Sequence, residues 1–343
     1  MKKHLVILLI ATFSINYAQF EDIFASDSDA EKFVTKFTQP AFRGLMFATN
    51  SAWVTSAQPV KAFKFELNIS AAGAFVPQSY ENFKFDPADY HYLRIENGPD
   101  VIPTIMGEDS QTVLKIVIQD NAHNEVKLLE FNSPDGIKDQ LPVNVVPAPA
   151  VQMSMGLPLG SEVNLRYAPM ITDDNGGFFQ LLGIGFKHSI SQYFPVGKDE
   201  NDNKNKRHFN LAAHVAYQHI NSGYDDPDSD KVVQINISTI SLQGIASFDY
   251  KLVSLYGAVG YSKGFTTMDV LGTYNYTYDI QDNHGNHIRT ETVSIKDPLK
   301  LDYDINGMKA KAGIKLKLAF FQIFADYTLQ EFPVATAGIG FKF

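Results

Sequence analysis

The stretch MKAKAGIKLKL, residues 308–318, decides the fold because its side chains alternate strictly between two kinds. Lysine or glycine occupies every second position, and the positions between them are apolar: Met308, Ala310, Ala312, Ile314, Leu316 and Leu318. Successive side chains of a β-strand point to opposite faces of the sheet. The segment is therefore predicted to be a strand with one apolar face and one basic face.

Nine further segments repeat this two-faced pattern with varying regularity: 63–75, 145–155, 162–167, 180–190, 209–220, 240–251, 253–265, 319–330 and 334–343. The clearest contain about 9–11 residues, the length that a tilted strand needs to cross a membrane. Every backbone polar group in lipid must pair within the protein, so a sheet there has to close on itself. We therefore expect an all-β fold, a transmembrane antiparallel barrel of about 10–14 strands. A soluble sandwich with the apolar faces inside is the alternative.

The N-terminal sequence MKKHLVILLIATFSINYAQ predicts export. Lys2 and Lys3 precede a short apolar core, and cleavage is expected after Ala18, so residues 1–18 are interpreted as a signal peptide. The chain has no cysteine, which excludes disulfides, thiolate metal sites and a lipidated N-terminal cysteine. Removing Lys2 and Lys3 changes the formal charge from −9 to −11, and such an acidic protein is not expected to bind nucleic acid.

Residues 19–61 differ from the rest and are predicted to form a plug-like segment ahead of a barrel spanning 62–343. Ala30, Phe33, Val34 and Phe37 recur at helical spacing, and Ser28 followed by Glu31 resembles a capping box. Pro40 is expected to end this helix. The segment is predicted either to enter the barrel or to lie against it as a periplasmic flap.

The connections between the predicted strands alternate in length, as bacterial barrels do. Tight turns are expected on the periplasmic side near 156–161, 252 and 318–319, and longer links outside at 171–177, 221–231 and 266–302. Two segments, 111–131 and 273–295, are predicted to be extracellular hairpins that turn at NAHN and NHGN. The long, charged link at 194–207 falls on the inner side and does not fit this alternation.

Several segments carry a resemblance to known proteins: NSAWVTSAQPVKAFKFELNIS (50–70), MGLPLGSEVNLRYAP (155–169), GIGFKHSISQYFP (183–195) and the terminal GFKF. Through them the chain resembles a family of outer-membrane β-barrel proteins of Bacteroidetes-type bacteria to which no activity is assigned. More distantly, the layout is similar to that of long-chain fatty-acid transporter barrels, which have an N-terminal plug and carry hydrophobic substrates. The resemblance implies an outer-membrane location.

The candidate ligand-binding residues face the predicted lumen: Lys309, Lys311, Lys315, Lys317, Asp326 and Arg166. A lysine on the lipid face would cost about 2–4 kcal/mol at mid-membrane, so these cations are assigned to the opposite face. A basic wall would attract an anion such as a carboxylate or a phosphate. The alternative is structural, with the lysines paired to Asp326, Asp249 or Glu66.

Catalytic, metal and cofactor sites are not predicted. His214, Ser189 and Asn210 are the nearest approach to a hydrolytic triad, and only an assumed strand order brings them together. The predicted function is a passive channel or transporter for small hydrophobic or amphipathic molecules. The alternatives are a non-transporting structural or surface-binding barrel and, third, a lipid-modifying enzyme. The expected partners of this monomer are outer-membrane lipid and a small hydrophobic or anionic ligand.

Overall fold

The computed structural model describes residues 23–24, 26, 28–119, 125–173, 176–194, 208–281 and 287–343. The predicted signal peptide, residues 1–18, lies outside the described residues, as do 19–22 of the plug-like segment. The turns NAHN (121–124) and NHGN (283–286) and residues 195–207 of the charged link also lie outside them.

One long helix and seventeen strands are found in the described part of the chain. The helix is α1 (Ser28–Thr49). The strands are β1 (Phe65–Phe75), β2 (Asn82–Lys84), β3 (Leu93–Asn97), β4 (Val101–Pro103), β5 (Val113–Gln119), β6 (Glu125–Asn132), β7 (Val145–Leu157), β8 (Ser161–Thr172), β9 (Gly177–Ser189), β10 (Phe209–Asp225), β11 (Val232–Asp249), β12 (Val253–Leu271), β13 (Thr273–Gln281), β14 (His287–Lys296), β15 (Leu299–Leu318), β16 (Phe321–Leu329) and β17 (Val334–Lys342).

Ten of the described strands close into a barrel in the order β1–β17–β16–β15–β12–β11–β10–β9–β8–β7 and back to β1. Each recorded pairing between neighbours is antiparallel. The predicted antiparallel barrel is therefore confirmed, at the lower end of the predicted strand number. The ten two-faced segments are its ten wall strands.

The wall changes polarity part-way along its tallest strands. On β15 the outward side chains are polar from Lys300 to Asn306 and apolar from Met308 to Leu318. The inward side chains are apolar from Leu299 to Ile305 and are lysine or glycine from 307 to 317. β11 changes in the same way between Ser238 and Ile240. Residues 308–318, at about 3.4 Å per residue and a tilt of about 45°, rise about 24 Å. That height matches the apolar band of a membrane barrel, about 25 Å.

Beyond this change of polarity the tall strands continue as a soluble wall. The segment 266–302 was predicted to be an outer link, but β12 runs to Leu271 and β15 begins at Leu299, with the hairpin β13–β14 between them. The predicted link was too long because the inward side chains of these strand ends are apolar. In the membrane strands the inward side chains are polar and the outward ones are apolar. Leu301, Tyr303 and Ile305 belong to a core that includes α1.

The connection between β1 and β7 folds into a cap. In its described part β2 pairs with β4, and β5 pairs with both β3 and β6, so the predicted hairpin at 111–131 is joined by a third strand. The cap residues Phe85, Leu93, Ile102, Leu114 and Ile116 are buried in the same core as α1.

The barrel has two different ends. At the short-turn end lie the links 158–160, 250–252 and 319–320, the end of β17 and the start of β1; the long-loop end carries the cap and the hairpin β13–β14. Among the described helices, none combines the length and the apolar character needed to cross a bilayer.

Pro40 does not end the helix, and that prediction was wrong, since α1 continues to Thr49. Proline in a helix removes one N–H and displaces the carbonyl groups of the preceding turn. Here the Phe37 carbonyl accepts a hydrogen bond from the Ile105 N–H of the cap at 2.9 Å. Burial of Pro40 and its neighbours in the barrel core holds both halves of the helix in place.

Candidate functional site: the occupied lumen

The N-terminal segment runs through the barrel from the long-loop end to the short-turn end. α1 packs against β1, β7, β11, β12 and β15, and residues 50–61 continue to the start of β1, where Phe63 N–H donates to the Gly156 carbonyl. The half of the lumen that holds α1 is apolar. There Phe42 packs against Tyr303 of β15 and Phe47 against Phe332, whereas Phe33, nearer the start of the helix, packs against Phe83 of the cap.

Arg166 meets the segment where α1 ends. Its guanidinium donates to the carbonyl oxygens of Thr49 at 3.0 Å and Ser51 at 2.9 Å. It also donates to Gln152 and Gln218 of the wall and lies 3.7 Å from the centre of the Trp53 ring. The carbonyl groups at a helix C-terminus lack intrahelical donors and carry partial negative charge, so this buried cation completes the end of α1.

Two predicted site lysines hold the coil that follows the helix. Lys309 donates to the Asn50 carbonyl at 3.1 Å and to Ser241 Oγ at 2.7 Å. Lys315 donates to Thr55 Oγ1 at 2.8 Å, with Glu66 at 3.8 Å. Their ammonium groups thus bind main-chain and side-chain oxygens of the segment inside the barrel.

The other predicted residues pair within the wall. Lys311 lies 3.3 Å from Asp326, whose second oxygen accepts from the Tyr256 hydroxyl at 2.8 Å. Lys317 lies 3.2 Å from Asp249. All six predicted residues face the lumen, and the ion pairs with Asp326, Asp249 and Glu66 are those named in the structural alternative. Their role in binding a ligand stays a prediction.

A further ion pair, which the sequence prediction missed, lies near the short-turn end. Lys187 and Glu162 are 2.9 Å apart and both almost wholly buried. Glu162 accepts from the Val60 N–H at 2.8 Å, and Lys187 donates to the Ser56 carbonyl at 3.3 Å. The alternation could have found them, because each lies beside an outward apolar residue, Val163 and Phe186.

A cavity of about 40 Å³ lies between this coil and the wall at the short-turn end. Residues of the coil line it together with four cations and three anions of the wall: Lys187, Lys315, Lys317, Lys342, Glu66, Glu162 and Asp249. The volume is enough for one or two water molecules and too small for a larger solute. Charge around the cavity is therefore nearly balanced and locally paired.

The hydrolytic arrangement considered from the sequence does not form. The ring nitrogens of His214 contact Asn164 at 3.2 Å and Gln243 at 3.2 Å, and Asn210 donates to Asp249. A hydrolytic base must reach its nucleophile, and these contacts hold the imidazole between two amides. Over the described ranges, three or more potential metal ligands do not cluster anywhere.

The long-loop end of the segment is tied to the cap and to the turn before β17. Arg43 donates to both oxygens of Glu331 at 2.6 Å, and the Tyr80 hydroxyl donates to the same carboxylate at 2.6 Å. That hydrogen bond raises the pKa of Tyr80. Asp29, in the first turn of α1, accepts from the N–H groups of three consecutive cap residues: His91, Tyr92 and Leu93.

A comparison with protein families gives a match to the family of unknown function DUF6588 over residues 1–343. The chain belongs to this family. No curated protein matches it.

Solved structures similar to the chain include bacterial outer-membrane proteins with little sequence identity. Ail, the attachment invasion locus protein of Yersinia pestis, is 10% identical over 82% of this chain and 99% of that chain, with a TM-score of 0.28. The outer membrane protease OmpT from Escherichia coli is 9% identical over 84% and 100%, with a TM-score of 0.29. The translocator domain of the autotransporter NalP from Neisseria meningitidis is 9% identical over 82% and 90%, with a TM-score of 0.24. At these TM-scores no residue of this chain is matched to a site in those proteins.

Proposed function

We propose that the protein is an outer-membrane β-barrel that is closed by its own N-terminal segment and serves as a non-conducting anchor for its cap. The observation that carries this proposal is the bonding of residues 49–60 to the lumen wall. Arg166, Lys309, Lys315, Lys187 and Glu162 each bind an atom of that segment.

The membrane location is supported by the outer surface of the barrel. Large apolar side chains are exposed around it within the band of about 25 Å, for example Leu182, Ile184, Leu242, Leu255 and Ile314. A soluble protein rarely exposes so large a continuous apolar surface. A closed barrel also leaves no unpaired sheet edge over most of its wall, as hydrocarbon requires.

The closed state is supported by the apolar half of the lumen. Burial of a Phe side chain contributes about 1.5–3 kcal/mol. Phe42 and Phe47 of α1 together are therefore worth about 3–6 kcal/mol, and a vacated lumen would lose that contribution. An open pore would also need water in a zone lined by apolar side chains such as Val146, Ile237 and Leu301.

The cap is the part of the molecule that this anchor presents. It shares its core with α1 and the tall strands, so it is held rigidly at the long-loop end. If that end faces outward, a structural or surface-binding role in the cell envelope follows.

Conductance across planar bilayers tests the closed state. The purified barrel is expected to give no steady current, and a triple variant in which Arg166, Lys309 and Lys315 are replaced by serine is expected to give intermittent openings. The matched control replaces three outward residues of the soluble wall by serine: Lys300, Asp302 and Asp304. A steady open channel in the unmodified protein would overturn the proposal.

Outer-membrane fractionation and a heat-shift on gels test the location separately.

Transport of small hydrophobic or amphipathic molecules is the second candidate. The cavity in the charged half of the lumen favours it, because one side of that cavity is formed by the coil, residues 53–56 and 58–60. Transport would require this coil to move. A disulfide between Ala57→Cys and Ser247→Cys, which joins positions whose N–H and Oγ lie 3.0 Å apart, would lock it. Flux of a fatty acid into liposomes that disappears on oxidation would support transport; equal flux in both states would count against it.

A further inference from the structure

Lys263 is an exception to the apolar outer surface of the barrel. Along β12 the outward side chains from Val253 to Tyr261 are mostly apolar, and the next outward residue is this lysine, which is exposed. It lies opposite Ile240 of β11 and Asn306 of β15, where the outer surface changes from apolar to polar. A charged side chain costs less at the edge of the apolar band than at its centre, but it still needs water or an anion there.

The Lys263 ammonium leans towards the polar side of this boundary. It lies 4.8 Å from the centre of the ring of Phe265, the next outward residue of β12 towards the long-loop end. Within the described residues Lys263 makes no ion pair, although Asp304 of β15 lies opposite Phe265. Long basic side chains near the edge of the hydrocarbon extend in this way towards the lipid headgroups. The cation therefore reaches headgroup depth without an anionic partner from the described part of the chain.

Three polar side chains face outward beside this cation. Ser238 of β11 lies directly opposite Phe265. Its hydroxyl oxygen is 3.0 Å from His219 Nδ1 and 3.3 Å from the Tyr217 hydroxyl, and both of these residues belong to β10. Lys263 is the diagonal neighbour of Ser238 in the sheet, a separation that long side chains can span. The four side chains therefore surround one spot on the outer surface.

The hydrogen bonds of this group determine which donors remain for a ligand. All three contacts are satisfied when the Tyr217 hydroxyl donates to Ser238 Oγ and the Ser238 hydroxyl donates to His219 Nδ1. This arrangement fixes the tautomer of His219, whose Nε2–H is left as a donor on the outer surface. The Lys263 ammonium supplies charged donors at the same depth. Two donors of this kind, one of them cationic, fit the oxygens of a phosphate group.

We infer that Lys263 and His219 bind the phosphate group of a membrane lipid at the edge of the apolar band nearer the long-loop end, with Ser238 and Tyr217 orienting the imidazole. The inference rests on the proposed membrane location. Asp304 lies on the other side of Phe265, so the phosphate is placed on the β11 side. Towards the short-turn end the outward neighbours are apolar and exposed on three adjacent strands: Val215, Leu242 and Tyr261. The acyl chains of the same lipid would lie along them.

Native mass spectrometry tests this inference. The full chain is inserted into vesicles, extracted in detergent and titrated with phosphatidic acid, with diacylglycerol of the same acyl chains, or with inorganic phosphate. Phosphatidic acid is expected to bind more tightly than the other two. Lys263→Gln is expected to weaken it about tenfold, the order of one hydrogen bond to a charged group. Lys263→Arg should retain it, and Lys300→Gln, which changes an exposed lysine of β15 beyond the apolar band, should leave it unchanged.

A second variant, His219→Leu, removes the other donor and should also weaken phosphatidic acid without changing the binding of diacylglycerol. The heat-shift on gels confirms that each variant is folded. Equal affinity of phosphatidic acid for the unmodified, Lys263→Gln and His219→Leu proteins would overturn the inference. Inorganic phosphate that binds as tightly as phosphatidic acid would also overturn it, because the site would then need no lipid. Failure of the unmodified protein to enter vesicles would instead contradict the membrane location.

Discussion

The guanidinium of Arg166 stacks 3.7 Å above the ring of Trp53 while it donates to the carbonyl oxygens of Thr49 and Ser51. A wall residue therefore fixes both the end of the helix and the first turn of the coil. A planar, delocalised cation can stack and donate in several directions at once, which a lysine ammonium cannot do.

Arg166→Lys is expected to loosen the segment although it keeps the charge. The loss of the stack and of at least one hydrogen bond made by the buried cation should destabilise the closed state by about 1.5–3 kcal/mol, the order of a hydrogen bond to a charged group. Hydrogen exchange of the amides at 49–55 would measure this. Arg289→Lys, on the exposed hairpin β13–β14, is the control and should leave exchange unchanged. Equal exchange in all three proteins would show that Arg166 does not hold the segment.

A close approach between helix and wall occurs at Gly44. A Cβ atom there would lie 2.6 Å from Cγ2 and 3.0 Å from Cβ of Val146. Gly44→Ala gains about 1 kcal/mol of helix propensity, but overpacking costs about 1–3 kcal/mol, so a net loss of stability is expected. Val146→Ala in the same chain should recover part of the loss, which a double-mutant cycle on the heat-shift midpoint would measure. A Gly44→Ala protein that is more stable than the original would contradict this contact.

The two-faced alternation was sufficient to predict the barrel, its ten wall strands and the inward direction of the lysines, because side-chain period is a local property of a strand. It could not predict that α1 continues past Pro40, because the compensating contact from Ile105 comes from a distant part of the chain. The upper wall, where the tall strands continue beyond the apolar band, was missed because outside lipid the apolar side chains of an alternating strand face inward and the polar ones face outward. The partners of Arg166 were missed because main-chain carbonyl groups leave no mark in a sequence.

Glu162→Gln is expected to release the coil at the short-turn end. The substitution leaves Lys187 buried without its anionic partner and weakens the acceptor of the Val60 N–H. A loss of about 3 kcal/mol is expected from removal of one partner of a buried pair.

Because the chain has no cysteine, a single Ala57→Cys substitution can report this release. Ala57 is fully buried, so the introduced thiol should react with a charged maleimide only in the Glu162→Gln background. Lys251→Cys, in the exposed turn 250–252, should react equally in both backgrounds. If the thiol introduced by Ala57→Cys stayed unreactive in the Glu162→Gln background, the role of Glu162 would be contradicted.

Asp29 joins the helix to the cap through three backbone donors at 2.6–2.9 Å. Asp29→Ala leaves those N–H groups without their acceptor, and each unsatisfied buried group costs about 1–3 kcal/mol. The cap is therefore expected to open, and protease cleavage within 76–144 should become at least tenfold faster. Glu31→Ala changes an exposed acid of the same helical turn and should have no effect. Equal cleavage of the Asp29 and Glu31 variants would exclude this anchoring role.

The change of polarity along β11 predicts where the membrane ends. Leu242 and Asn236 both point outward from β11 and are six residues apart. Leu242 lies on the apolar side of the change between Ser238 and Ile240, and Asn236 lies on its polar side. Leu242→Arg would place a charge in the apolar band and is expected to cost about 2–4 kcal/mol, whereas Asn236→Arg should change stability by less than about 0.5 kcal/mol because its side chain meets water. Refolding into vesicles from urea would measure both. A penalty of similar size at the two positions would mean that the boundary does not lie between them, and no penalty at Leu242 would mean that this face does not meet lipid.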